Sequence, residues 1–102
     1  MSVGCALETE RGKTIARVED PQEMLNSLIP PITETGFQCW RFIDEYGETV
    51  FNARQMDQFL EETAIPRTRT KEPEALRVLE SIEELARRCQ GQIHTYLRFS
   101  GD

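Results

Sequence analysis

Hydrophobic and polar positions along the 102-residue chain change period several times, and each change marks an element. Ser2 to Glu8 alternates, Glu10-Arg11-Gly12-Lys13 has turn chemistry, and Thr14 to Val18 alternates back, which predicts a hairpin. Asp20-Pro21-Gln22-Glu23 predicts a helix start, with Asp20 as N-cap, Pro21 at the first helical position and Glu23 closing a capping box. Met24, Leu25, Leu28 and Ile29 recur at helical spacing until Pro30-Pro31 stops propagation, and Ile32 to Gly36 connects onward.

The stretch Trp40 to Gln55 organises the middle. Phe37 to Ile43, aromatic and branched, predicts a strand; Asp44 to Gly47 predicts a turn with Gly47 at positive φ; Glu48 to Phe51 predicts the returning strand. On this expectation Trp40 and Phe42 face the core, and Cys39, Arg41 and Ile43 face away. Asn52 is a preferred N-cap, Gln55 completes a capping box, and Phe51 can close over Met56. A helix then runs from Ala53 to about Ala64, with Met56, Phe59, Leu60 and Thr63 inward and Asp57, Glu61 and Glu62 outward, until Pro66 ends it.

The second half reads as basic loop, long helix and strand. Arg67-Thr68-Arg69-Thr70-Lys71 links two acidic helices, either as a solvated linker or as a phosphate contact. Proline at 73 opens a helix reaching Cys89 or Gln90, whose broad stripe of Ala75, Val78, Leu79, Ile82, Leu85, Ala86 and Cys89 suits packing on a sheet. Glu83 with Arg87 and Glu84 with Arg88 are i,i+4 pairs contributing ~0.3 kcal/mol each. Gly91 is placed to take the left-handed conformation that closes the helix. In the final strand Ile93, Thr95, Leu97 and Phe99 alternate with His94, Tyr96 and Arg98. The sum is one α+β domain over residues 1–102: a two-layer sandwich with a mostly antiparallel sheet of about five strands and two or three helices on one face. The opposite face is expected to show Cys39, Arg41, Ile43, His94, Tyr96 and Arg98.

Composition narrows the function classes. A formal net charge of -6 opposes the phosphate neutralisation on which nucleic-acid binding rests, and disfavours anionic membrane surfaces as well. No run approaches the roughly 18 apolar residues of a membrane span, and the opening residues lack a basic segment followed by an apolar core, so a cytoplasmic protein is expected. Three widely spaced cysteines, Cys5, Cys39 and Cys89, argue against a disulfide framework and for buried free thiols.

Leu7-Glu8-Thr9-Glu10, the Asp20-Pro21 helix start, the run from Phe42 to Asn52 followed by Gln55-Met56, and the ending from His94 to Asp102 resemble a group of small hypothetical bacterial proteins. In that group the turn is more often Asp-Pro-Tyr-Gly-Asp; here Glu45 and Glu48 stand at two of those positions, and the acidic character and the glycine are kept. The resemblance spans nearly the whole chain. It implies a bacterial cytoplasmic domain and no catalytic residue, in a class of short proteins often carried on mobile gene cassettes.

Three groups of side chains bear on chemistry. No glycine-rich loop stands between a strand and a helix, and one histidine with no close cysteine pair gives no zinc spacing, so neither a cofactor nor a metal is expected. Asp44, Glu45 and Glu48 crowd one turn, with Asp102 nearby if the last strand pairs there; such a group binds a hard cation, divides acid and base roles, or is an ordinary polar turn. Asn52 and Gln55 are explained by capping. His94, Tyr96, Arg41 and Arg98 make the most ligand-like set, one base, one hydroxyl and two cations. Two functions stay open. The preferred one is a non-enzymatic interaction module of accessory, regulatory or toxin-neutralising type, a homodimer or the binder of a basic protein, with Arg41, Ile43, His94, Tyr96 and Arg98 at its contact face. The alternative is a protein or enzyme for a small anionic ligand, with His94 as base and Arg41 or Arg98 holding the anion.

Overall fold

Alternation at the two ends of the chain builds the middle of the sheet. In the computed structural model, which describes residues 2–101, β1 (Gly4–Thr9) lies between β2 (Thr14–Arg17) and β4 (Thr95–Ser100), and β3 (Glu48–Asn52) pairs the far side of β4. All pairings are antiparallel. The register stacks Leu7, Leu97 and Phe51 in one inward row and Cys5, Phe99 and Thr49 in the next, while Ala6, Arg98 and Val50 form a row on the opposite face. The β1–β2 turn closes with Gly12 at φ 84 and the Thr9 hydroxyl accepting from the Lys13 N–H at 3.1 Å. Gly12, and not Gly47, is the glycine with positive φ among the described residues.

The helices pack around one long member that lies against the sheet. α1 (Leu25–Leu28) is one turn; α2 (Met56–Glu62) follows a 3-10 turn at Ala53–Gln55 and is succeeded by α3 (Ala64–Arg69) and α4 (Pro73–Gly91); α4 packs on β1 and β4, α1 and α2 pack on α4, and α3 packs on α2. Every stripe residue expected of α4 is buried. The capping box at Asn52 is present, with Gln55 N–H donating to Asn52 at 3.2 Å and Asn52 N–H donating to Gln55 at 2.8 Å. An aromatic cluster fills the core: Trp40 stacks on Phe59 at 4.8 Å, and Phe51 meets Phe99 edge-on at 5.9 Å.

Several expectations are corrected. Phe37 to Ile43 is no strand but a bend followed by a 3-10 turn at Trp40–Phe42, so the described residues hold four strands rather than about five. A 3-10 turn brings residues three apart to one side, and Trp40 and Ile43 are both buried while Phe42 is exposed. Glu23 stands at φ 54 and closes no box; Asp20 instead accepts from the N–H groups of Met24 and Leu25, and α1 starts later than expected. Pro66 does not end a helix: it sits in the first turn of α3, where its missing N–H costs nothing. Arg67 and Arg69 are therefore helical, paired with Glu83 and Glu34. Gly91 ends α4 without a left-handed conformation. Ile93 precedes β4 and is 82% exposed, because His94 at φ 67 turns the chain there.

Candidate functional site

A buried carboxylate shapes the main chain of residues 38–40. Glu62, on the inward side of α2, accepts hydrogen bonds from the backbone N–H groups of Gln38 at 2.6 Å, Cys39 at 3.1 Å and Trp40 at 3.0 Å, and from the Gln58 amide at 2.8 Å. Three consecutive N–H groups converging on one anion need a curled backbone, and an extended strand cannot supply them. The Trp40 indole N–H also donates to the Phe59 carbonyl at 3.2 Å. With Trp40 fixed inward, Phe42 turns to solvent.

The exposed side of this curl forms one wall of a groove of about 550 Å³; Pro30, Pro31 and Ile32 form the other. Arg41 joins the walls by donating to the Ile32 carbonyl at 2.9 Å, and its guanidinium lies over the Phe42 ring at 4.5 Å. Its Nε is buried without a hydrogen-bond partner among the described residues. Three large side chains stand open around the groove: Ile32 at 59%, Phe42 at 49% and Tyr46 at 69% exposure. Asp44 and Glu45 line the rim. Asp44 folds back to accept from the Tyr46 N–H at 2.8 Å, whereas the Glu45 carboxylate has no hydrogen-bond or ion-pair partner among the described residues. The end of the chain braces this turn. Gly101 donates to the Gly47 carbonyl at 2.7 Å, and a Cβ on Gly101 would overlap the Glu45 carbonyl oxygen. Asp102, expected near the acidic turn, lies outside the described residues.

The residues expected to form one contact face are dispersed. Tyr96 and Arg98 do share the open sheet face, where Arg98 donates to Glu8 at 2.8 Å and Glu48 at 2.9 Å. Those bonds, Glu8 first, raise the Arg98 pKa. Glu48 is thus engaged by Arg98 and by the Ser100 hydroxyl, at 3.0 Å, rather than standing free in the acidic turn. Cys39 and Ile43 are buried, so neither belongs to an open face. His94 sits at the far end of β4 with Nδ1 3.2 Å from Glu10, beside a second hollow of about 420 Å³ that also takes in Ile93, Arg11 and Lys13. Arg41, Arg98 and His94 therefore line three different hollows.

Sequence reasoning missed two inward carboxylates, Glu62 and Glu83. Glu83 lies 2.7 Å from the Thr63 hydroxyl and pairs with Arg67, so it does not form the exposed pair with Arg87. All three cysteines are buried and free. Burial pushes the Cys39 thiol up to about 11, with the Glu62 charge adding to it, and burial likewise raises Cys5 and Cys89. These thiols are poor nucleophiles at neutral pH. Among the described residues no three metal-ligating side chains converge, and no helix is long and apolar enough to cross a membrane. The fold and groove define an α+β domain with an open apolar and acidic cleft at one end of its sheet. No protein-family model, curated protein or solved structure matches the chain.

Proposed function

We propose that this protein is a non-enzymatic interaction module, and that the groove between Ile32 and Tyr46 is where it takes hold of another polypeptide. Ile32, Phe42 and Tyr46 carry the reading: three large side chains exposed together around one concave surface. Scattered single hydrophobics need no explanation, but a cluster with aromatic anchors around a concavity fits a binding surface. Asp44 and Glu45 at the rim select a segment that places a Lys or Arg next to its apolar anchor. Read as a two-layer sandwich, the domain also has a free sheet face. That face is the weaker candidate, because Arg98 is already neutralised by Glu8 and Glu48.

Selection from a random heptapeptide display library tests this. The wild-type protein should enrich peptides with an apolar residue beside a basic one, and the Phe42→Ala, Tyr46→Ala double variant should not. Equal recovery by both proteins would refute the groove as the site.

The anionic-ligand reading keeps one supporting observation, the unpartnered Arg41 Nε at the groove wall. A small carboxylate or phosphate in the groove would then bind wild type and not Arg41→Gln. Identical calorimetric titrations of acetate and of phosphate into the two proteins would remove that reading.

A further inference from the structure

We infer that the polypeptide taken up by the groove is a second copy of this chain, which inserts Ile93 from the opposite end of its sheet. This rests on the groove being a polypeptide site. β4 connects the two ends: Ile93 and His94 precede it, and Gly101 follows it against the Asp44–Gly47 turn. Six strand residues separate the ends by roughly 20 Å, so the two surfaces lie at opposite ends of the strand and the knob of one molecule does not reach its own groove.

The far end has the complementary chemistry. Ile93 at 82% is the most exposed large hydrophobic residue among those described, and it is held outward rather than left loose. The Glu10 N–H donates to the His94 carbonyl at 3.1 Å, and the Thr95 hydroxyl donates to the Gln92 carbonyl at 2.7 Å, one bond on each side of the left-handed His94. Glu10, Arg11 and Lys13 flank this knob; the Glu10 carboxylate lies 3.2 Å from His94 Nδ1, and neither the Arg11 nor the Lys13 side chain has a carboxylate partner among the described residues. Across the contact these two cations meet Asp44 and Glu45. An apolar knob whose Glu10 is turned to His94 and whose two cations lack a carboxylate among the described residues thus faces an apolar groove whose Arg41 is held by the Ile32 carbonyl and whose rim carries Asp44 and Glu45.

Such a contact joins two different surfaces, so it does not close on itself by two-fold symmetry; copies add head to tail. The patches are small, which places the association in the weak, concentration-dependent class.

Sedimentation equilibrium from about 10 μM to about 1 mM is the test, on wild type, Ile93→Glu, Tyr46→Lys and a one-to-one mixture of the two variants. Both substituted side chains are exposed, and circular dichroism checks that each variant is folded. The wild-type mass should climb past twice 11.8 kDa, each variant alone should stay monomeric, and the mixture should form a complex that stops at two chains, since only one competent contact remains. A wild-type monomer throughout, a wild-type mass that stops at a dimer, or variants that fail to complement would each overturn head-to-tail docking. If the wild type is monomeric but the displayed peptides still depend on Phe42 and Tyr46, only the second-copy occupant is wrong. If the peptides fail as well, the groove reading falls with it.

Discussion

Glu62 and Glu83 are both buried, yet they are anchored in different ways. Glu83 sits against Arg67 and the Thr63 hydroxyl, and Arg67 itself reaches solvent, its side chain 42% exposed. The partners of Glu62 are all neutral: three main-chain N–H groups and one amide. Oriented peptide dipoles take the place of a counter-ion there, and they do so only while residues 38–40 keep their curl. Glu83 ties one helix to another, whereas Glu62 decides the path of the chain that carries the groove.

The largest expected effect comes from breaking the second anchor. Glu62→Gln replaces one acceptor oxygen by an amide that faces N–H donors, leaving buried donors unsatisfied, and should cost about 3 kcal/mol in chemical denaturation. Glu83→Gln should cost less, about 1 kcal/mol, because Arg67 can turn to water and Thr63 also lies 2.7 Å from the Leu60 carbonyl. Equal losses would mean the two anchors are equivalent. Asn52→Ala calibrates the pair, since it removes a bond from side-chain oxygen to main-chain N–H in an exposed setting; ~1 kcal/mol is expected.

The smallest effect is a pH slope. The Cys39 thiol is raised from 9.0 to about 11, by burial first and by Glu62 second. Above pH 9 the unfolded chain releases a proton that the native state keeps, so the contribution is complete below pH 9 and is lost as pH rises through about 11. Stability measured between those limits should fall less steeply in Cys39→Ala than in wild type. Parallel slopes would show that Cys39 does not titrate with unfolding.

The elements that are legible in the sequence are those whose causes are local. The α4 stripe repeats through a 19-residue helix, the Asn52 box is complete within four residues, and β4 alternates cleanly from Thr95. Phe37 to Ile43 has strand composition, but its conformation is set by an acceptor 22 residues away from Trp40, which no local pattern shows. A signal was nevertheless present. Glu83 follows Leu79 by four and precedes Ala86 by three, inside the apolar stripe, and Glu62 follows Phe59 by three; an acid within a stripe marks a buried anchor as readily as an edge. For the site, the acidic turn and Tyr96 with Arg98 were legible as separate features. The partnership of Asp44 and Glu45 with Ile32 and Phe42 was not, because it depends on the curl.

The groove exists because Glu62 holds the main chain of Gln38, Cys39 and Trp40, and amide hydrogen exchange at those three positions tests this most directly. In wild type they should exchange as slowly as the paired amides of β4 although they belong to no strand, and in Glu62→Gln they should exchange roughly 100-fold faster relative to β4. Rapid exchange of all three in the wild type, or unchanged protection in the variant, would contradict the account.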